Sequence, residues 1–172
     1  MLDRVVAQLR ELKQQGSRAM FVVADAFLEL GMRDRGLELL VENGEARIAT
    51  SSWNDAVETY SRAVDAAPQD LDLAETLALV GAKVGDRDQA LARLRRIAVL
   101  YQKKGRAERA ESAYREMLRL NPFSPDALLG IARLKADRGE KREAAALLHQ
   151  LGHLYRTSGS LEPSRRLNRE TD

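Results

Sequence analysis

The fold of this chain is decided by residues 68–105, which read PQDLDLAETLALVGAKVGDRDQALARLRRIAVLYQKKG. The stretch recurs 54 residues later, because residues 122–159 read PFSPDALLGIARLKADRGEKREAAALLHQLGHLYRTSG. Residues 68–118 and 122–172 are identical at 14 of 51 positions, and the shared residues include helix stops and small residues rather than a catalytic set. An internal duplication of a packing unit accounts for this similarity.

Apolar residues recur at helical spacing through most of the chain, and no sustained alternation typical of a strand is present. Gly and Pro fall between the periodic stretches, where one helix stops and the next begins. The pattern predicts an all-α fold, an α-α solenoid of about ten antiparallel helices. We expect them near residues 2–15, 17–30, 33–49, 53–67, 70–84, 87–104, 107–120, 125–138, 141–158 and 161–170.

The composition excludes several classes of protein. Only 5% of the residues are aromatic and 44% are hydrophobic, which disfavours an all-β sandwich and also disfavours disorder. The chain has no Cys, so disulfide frameworks, iron–sulfur clusters and thiol nucleophiles are excluded. No apolar run reaches the ~20 residues of a membrane span, and the first residues do not resemble a signal peptide. We therefore expect no membrane partner and a cytoplasmic protein.

Two stretches resemble the tetratricopeptide repeat (TPR), a helix–turn–helix in which small residues, an aromatic residue and a proline recur at fixed positions. Residues 37–70 carry Gly44, Ala56, Tyr60, Ala63 and Pro68, and residues 91–124 carry Ala98, Tyr101, Gly105, Ala110, Tyr114 and Pro122. Residues 71–104 and 125–158 match more weakly. The resemblance implies a non-catalytic module that binds a partner protein or peptide in a groove of the helical repeat, as a scaffold or adaptor.

The repeat frame is irregular. The pattern that starts at residue 71 overlaps the one that starts at residue 91, so the helix near 87–104 serves as the second helix of one repeat and the first of the next. We expect a single helical-repeat domain over residues 1–172. It would consist of N-terminal helices in 1–36, TPR-like repeats in 37–160, and a capping helix or truncated boundary in 161–172.

Charge divides the chain into two halves. Residues 1–92 carry a net charge of −6 and residues 93–172 a net charge of +8. The run from Arg93 to Arg109 holds seven positive side chains and a single acid, Glu108. This predicts a protein partner with an acidic surface or peptide, and the acidic half would also permit head-to-tail self-association. The style of the sequence suggests a bacterial scaffold.

The candidate partner-binding residues are those that the TPR-like frame places along a groove. Overlaying the repeats puts His149 on Arg95 and His153 on Val99, while Leu129 and Arg133 take the same two positions in the stretch that starts at 125. These side chains differ while the residues around them recur, as expected of a shared scaffold with a specialised surface. The predicted site comprises Arg95, Arg96, Val99, Lys103, Leu129, Arg133, His149 and His153.

Other functions are less favoured by the residues. His149 and His153 are spaced as a helical metal pair, but no HExxH motif and no Cys accompany them, so we expect no metal and no cofactor. The chain lacks a P-loop, a GxGxxG after a strand and a GxSxG elbow, so we expect no catalytic residues and no enzyme. The alternative is a nucleic-acid-binding helical repeat that uses the basic C-terminal half.

Overall fold

The computed structural model describes residues 17–157, and within them it contains eight α-helices and no strand. The helices are α1 (Ser17–Glu29), α2 (Arg33–Ala49), α3 (Trp53–Ala66), α4 (Leu71–Lys83), α5 (Arg87–Lys103), α6 (Ala107–Leu120), α7 (Pro125–Asp137) and α8 (Lys141–Thr157). The prediction of an all-α, TPR-like fold is confirmed, and these eight helices begin and end within one residue of their predicted bounds. The two further helices expected near 2–15 and 161–170 lie outside the described residues.

The duplication is visible in the helix bounds themselves. Helices α1, α4 and α7 each have 13 residues and start at Ser17, Leu71 and Pro125, at intervals of 54 residues. Helices α2, α5 and α8 each have 17 residues, and α3 and α6 each have 14, at the same interval. The repeating structural unit therefore contains three helices of unequal length rather than a two-helix repeat of constant size.

The turns between helices repeat as well. Gly31, Gly85 and Gly139 follow α1, α4 and α7 with φ of +75°, +96° and +81°. Gly105 follows α5 with φ +70°, and the equivalent residue after α2 is Ser51, with φ +56°. A left-handed residue ends a helix by turning the chain so that its last carbonyls can accept hydrogen bonds. The predicted stops at Gly31, Gly85, Gly105 and Gly139 are confirmed, and those at Gly16 and Gly159 lie outside the described residues.

Contacts divide the chain into two compact units, an N-terminal unit that ends at Arg93 and a C-terminal unit that begins at Leu94. In the N-terminal unit, consecutive helices from α1 to α4 pack against one another around two apolar clusters. In the C-terminal unit, α6 packs against α7 and α7 against α8. None of the described helices is both long enough and apolar enough to cross a membrane.

Small residues occupy equivalent buried places in the repeats. Ala24, Ala78 and Ala132 are at most 2% exposed, and Ala56 and Ala110 are fully buried. A residue without a long side chain lets two helix backbones approach closely, so the volume at these places is limited to about that of alanine.

The tightest approaches pair a tyrosine ring with a glycine on a neighbouring helix. A Cβ on Gly44 would lie 2.6 Å from Cε2 of Tyr60, and a Cβ on Gly130 would lie 2.3 Å from Cζ of Tyr114. Tyr60 and Tyr114 are 54 residues apart and are 3% and 4% exposed. In both repeats, the ring therefore fills the space that a side chain on the partner helix would need.

One buried ion cluster belongs to the C-terminal unit alone. Glu111 of α6 is 7% exposed and accepts hydrogen bonds from Arg115, one turn further along α6, and from Arg138, just beyond α7, each at 2.6 Å. Burial alone would raise the pKa of Glu111, but the hydrogen bonds and charges of the two arginines outweigh burial and lower it. The cluster ties the C-terminal end of α7 to α6.

Two apolar residues of the predicted helical stripes are not in the core. Leu30 was expected on the buried face of the second helix but is 67% exposed, because the helix ends at Glu29 and the chain turns away. Leu148 is 41% exposed, although its equivalent Leu94 is fully buried. The remaining stripe residues of α5, namely Ala90, Ile97, Ala98 and Tyr101, are buried as predicted.

We predict that Gly130→Ala lowers the free energy of unfolding by about 1–3 kcal/mol, since the new methyl group overlaps the Tyr114 ring and forces repacking. The matched control is Gly152→Ala in α8, where an added Cβ meets no atom within 4 Å. This control should gain roughly 0.5–1 kcal/mol from helix propensity. Urea unfolding measures both, and an unchanged stability for Gly130→Ala would contradict the close contact.

We predict opposite effects at the two equivalent turns after α2 and α5. Ser51→Gly should stabilise the protein by about 0.5 kcal/mol because it relieves a left-handed backbone at a residue with a Cβ. Gly105→Ser should destabilise it by about 1 kcal/mol for the converse reason. Thermal unfolding of the pair checks the equivalence, which would be refuted by shifts of the same sign.

We predict that Glu111→Gln destabilises the protein at neutral pH by about 1–3 kcal/mol, because Arg115 and Arg138 lose their charged acceptor. The folded-state pKa of Glu111 is lowered, so its contribution is present above the ordinary carboxyl pKa and is lost as the pH falls through the lowered value. The difference between wild type and variant should therefore shrink in acid. Glu116→Gln, which removes an exposed pair with Arg119, should change stability by less than about 0.5 kcal/mol and serves as the control.

Candidate functional site

The predicted site lies in the C-terminal unit, and its geometry is built around Tyr114. The ring of Tyr114 is wedged over Gly130 of α7, so its hydroxyl group has a fixed position. The hydroxyl donates a hydrogen bond of 2.9 Å to Oε1 of Gln102 on α5. One side chain of α6 therefore contacts both α5 and α7.

An ion pair joins α5 to α7 at the surface. The guanidinium group of Arg95 donates to Oδ2 of Asp126 at 3.1 Å, and the two side chains are 60% and 55% exposed. An exposed pair of this kind contributes little to stability, because water already solvates both charges. It does show that the guanidinium group of Arg95 is placed where a carboxylate fits.

The charges around the Tyr114 hydroxyl bring two predicted residues together. Burial raises the pKa of Tyr114, and the charge of Asp126 raises it further, whereas Arg133 and Arg95 act to lower it. Arg95 comes from α5 and Arg133 from α7, so both guanidinium groups lie within electrostatic range of one hydroxyl group. The structure therefore places Arg95 and Arg133 around a common centre.

The other predicted residues lie on three helices. Arg96 and Lys103 are exposed on α5, where Val99 is 37% exposed, while Leu129 is half-buried on α7. His149 and His153 are exposed on α8. Their participation in a site with Arg95 and Arg133 stays a prediction.

Sequence reasoning missed the partners of these residues. Asp126, Gln102 and the hydroxyl group of Tyr114 were not among the candidates, although all three contact or surround the predicted arginines. One signal was available, because Asp126 aligns with Asp72 in the 54-residue overlay and is one of its identities. The arrangement can bind a carboxylate between two guanidinium groups, with Val99 and Leu129 as apolar neighbours.

A cavity of about 520 Å³ in the N-terminal unit is a second place to consider. Asp25, Arg33, Arg62 and Asp65 are among its lining residues. Arg62 bonds Oδ2 of Asp25 at 2.7 Å, lies 3.5 Å from Glu58, and stacks over the Phe21 ring with 4.6 Å to the centroid. Its acids and bases are thus engaged with one another, which is typical of a structural ion cluster. Over residues 17–157, no three or more His, Cys, Asp or Glu are arranged to hold a metal ion.

Comparison with known proteins gives one family. The sequence profile described as tetratricopeptide repeat matches residues 101–159. The match covers α6, α7 and most of α8, which include Tyr114, Gly130 and Arg133 of the site. A comparison with curated protein sequences finds no match.

Several solved structures are similar in fold. "MamA MSR-1 C2" is 18% identical, over 81% of this chain and 96% of that one, with a TM-score of 0.37. "MamA 41-end from Desulfovibrio magneticus RS-1" is 15% identical, over 84% and 99%, with a TM-score of 0.37. YrrB, titled "a TPR protein with an unusual peptide-binding site", is 14% identical, over 96% and 97%, with a TM-score of 0.37. No conclusion about function follows from similarities at these TM-scores.

The family match and the helix arrangement agree with one another. Short antiparallel helices, small residues at their close approaches and a tyrosine wedged against a glycine recur along the chain. The protein is a TPR-like helical-repeat protein, irregular in frame, with three helices in each 54-residue repeat.

Proposed function

We propose that this protein is a non-catalytic interaction module whose C-terminal unit binds an acidic segment of a partner protein. The observation that supports it is the convergence of Arg95 and Arg133 on the Tyr114 hydroxyl, beside a carboxylate already bound by Arg95. Tetratricopeptide repeats are a protein-interaction fold, and the family match lies in the same unit.

Asp126 supplies the model for the ligand. Its carboxylate accepts from Arg95 at 3.1 Å in an exposed setting, so a partner carboxylate can replace it at little cost in free energy. Arg133 then supplies a second guanidinium group, and paired guanidinium groups bind carboxylates through charge-assisted hydrogen bonds. Val99 and Leu129 would contact an apolar side chain next to the acid.

The basic charges beyond this site raise the alternative of a nucleic-acid ligand. Single-stranded nucleic acids are bound by several exposed aromatic rings that stack on the bases. In the described part of the C-terminal unit, Tyr101 is fully buried beneath Arg109, whose guanidinium group lies 5.5 Å from the ring centroid, and only Phe123 is a largely exposed ring. These positions favour a protein ligand.

We predict that Arg95→Glu with Arg133→Glu weakens binding of an acidic peptide at least roughly tenfold, or ~1.4 kcal/mol, without unfolding the protein. The probe is a short fluorescent peptide of Glu and Leu, followed by anisotropy, and thermal unfolding confirms that the variant is folded. Both substitutions place a negative charge where the ligand carboxylate would bind.

The control is Glu58→Arg with Asp65→Arg, two exposed acids of the N-terminal unit. If this control abolished binding and the arginine variant did not, the acidic-segment proposal would be overturned. A single-stranded RNA that binds more tightly than the peptide, with a steep loss of affinity as salt rises, would establish the nucleic-acid alternative instead.

A further inference from the structure

A groove in the N-terminal unit has an apolar floor. It has a volume of about 540 Å³ and runs along α2 to the start of α4. Its apolar lining consists of Leu37 and Val41 from α2 and Leu73 from α4, all of them partly exposed. Partly exposed aliphatic side chains in a groove gain free energy when an apolar side chain of a partner covers them.

The rim of the groove is acidic. The other described residues that line it all carry carboxylates: Asp34, Glu38, Glu42, Glu45 and Asp70. Asp70 uses Oδ1 to accept the backbone N–H groups of Asp72 and Leu73 and so caps α4. Glu38 and Glu42 also interact with other groups of the protein, so the property that matters is the net negative charge of the groove.

The 54-residue overlay aligns this groove with the site of the C-terminal unit. Val41 aligns with Arg95, Glu42 with Arg96, and Glu45 with Val99. The helices that carry them, α2 and α5, have the same length and the same register in the repeat. The same three places on the scaffold are therefore acidic and apolar in one unit and basic and apolar in the other.

The two wedged tyrosines have correspondingly different surroundings. Burial raises the pKa of Tyr60, and the charge of Glu45 raises it further. At Tyr114, by contrast, two arginines oppose the effect of burial. Because Tyr60 and Tyr114 are equivalent residues, the difference arises from the charges placed around them rather than from a different fold.

We propose that the groove formed by α2 and α4 binds a basic amphipathic segment of a partner protein. Lysine or arginine side chains of the segment pair with Glu42 and Glu45, and its apolar side chains contact Leu37, Val41 and Leu73. The occupant follows from charge complementarity, since a segment rich in Asp and Glu would be repelled by this rim. This binding is additional to the acidic-segment site proposed for the C-terminal unit, and it stands if that proposal fails.

The test uses the full chain and a short fluorescent peptide of Lys and Leu, with a Glu and Leu peptide for comparison. Glu42→Gln with Glu45→Gln should weaken binding of the Lys and Leu peptide by about tenfold or more, because the charges are removed while the shape is kept. The matched control, Glu58→Gln with Asp65→Gln, removes the same charge from acids that do not line the groove and should leave binding unchanged.

A second variant asks whether the groove residues alone set the charge preference. Glu42→Arg with Glu45→Val gives the groove the residues found at the equivalent places of the C-terminal unit. This graft should abolish binding of the Lys and Leu peptide and leave the melting temperature close to that of the wild type. Arg95→Glu with Arg133→Glu should not reduce Lys and Leu binding, which separates this proposal from the preceding one.

Three results would overturn the proposal. One is wild-type affinity for the Lys and Leu peptide in Glu42→Gln with Glu45→Gln, and another is equal affinity for the Glu and Leu peptide at this groove. The third comes from analytical ultracentrifugation. A concentration-dependent mass increase of the wild type, abolished by Glu42→Gln with Glu45→Gln and insensitive to the peptide, would identify a second copy of this chain as the occupant.

Discussion

The rest of the structure depends on how closely neighbouring helices can approach. At Gly44 and Gly130 a tyrosine ring occupies the space of a side chain, and alanines at equivalent places in the repeats are almost fully buried. Since interiors are close-packed, a larger residue at such a place displaces a neighbouring helix rather than a loop. The same constraint explains why the helices keep identical lengths and spacing from one repeat to the next.

The close contacts also fix the functional surface. A tyrosine ring held against a glycine cannot rotate freely, so its hydroxyl group reaches a defined position at the helix surface. In the C-terminal unit that position lies near Arg95, Arg133 and Asp126, and in the N-terminal unit the corresponding tyrosine lies near Glu45. Residues that bury no volume are free to differ between repeats, and the charges of the two units differ there.

Individual surface charges stabilise this fold very little, which suits them to binding. Arg95 and Asp126 are each more than half exposed, so their pairing competes with water and can be exchanged for a pair with another molecule. Glu111 is different, because it is buried between two arginines and links α6 to the end of α7. The first pair can be replaced by a ligand, whereas the second holds the helices that display it.

The sequence by itself determined the helices and the repeat. All eight described helices were predicted within one residue of their ends, because apolar periodicity and the stops at residues such as Gly85 and Gly139 are local properties of the chain. The candidate arginines were also found from the sequence, since charged residues that differ between aligned repeats are visible without coordinates.

Only the tertiary structure decided which side chains meet. Arg95 contacts Asp126 across 31 residues of sequence, and Arg138 contacts Glu111 across 27. It also showed that Leu30 is exposed and that five carboxylates line one groove with three aliphatic residues. Such pairings depend on the rotation of each helix about its own axis and on the distance to its neighbour. Both are set by the interlocking of buried side chains from different helices, which a one-dimensional pattern does not contain.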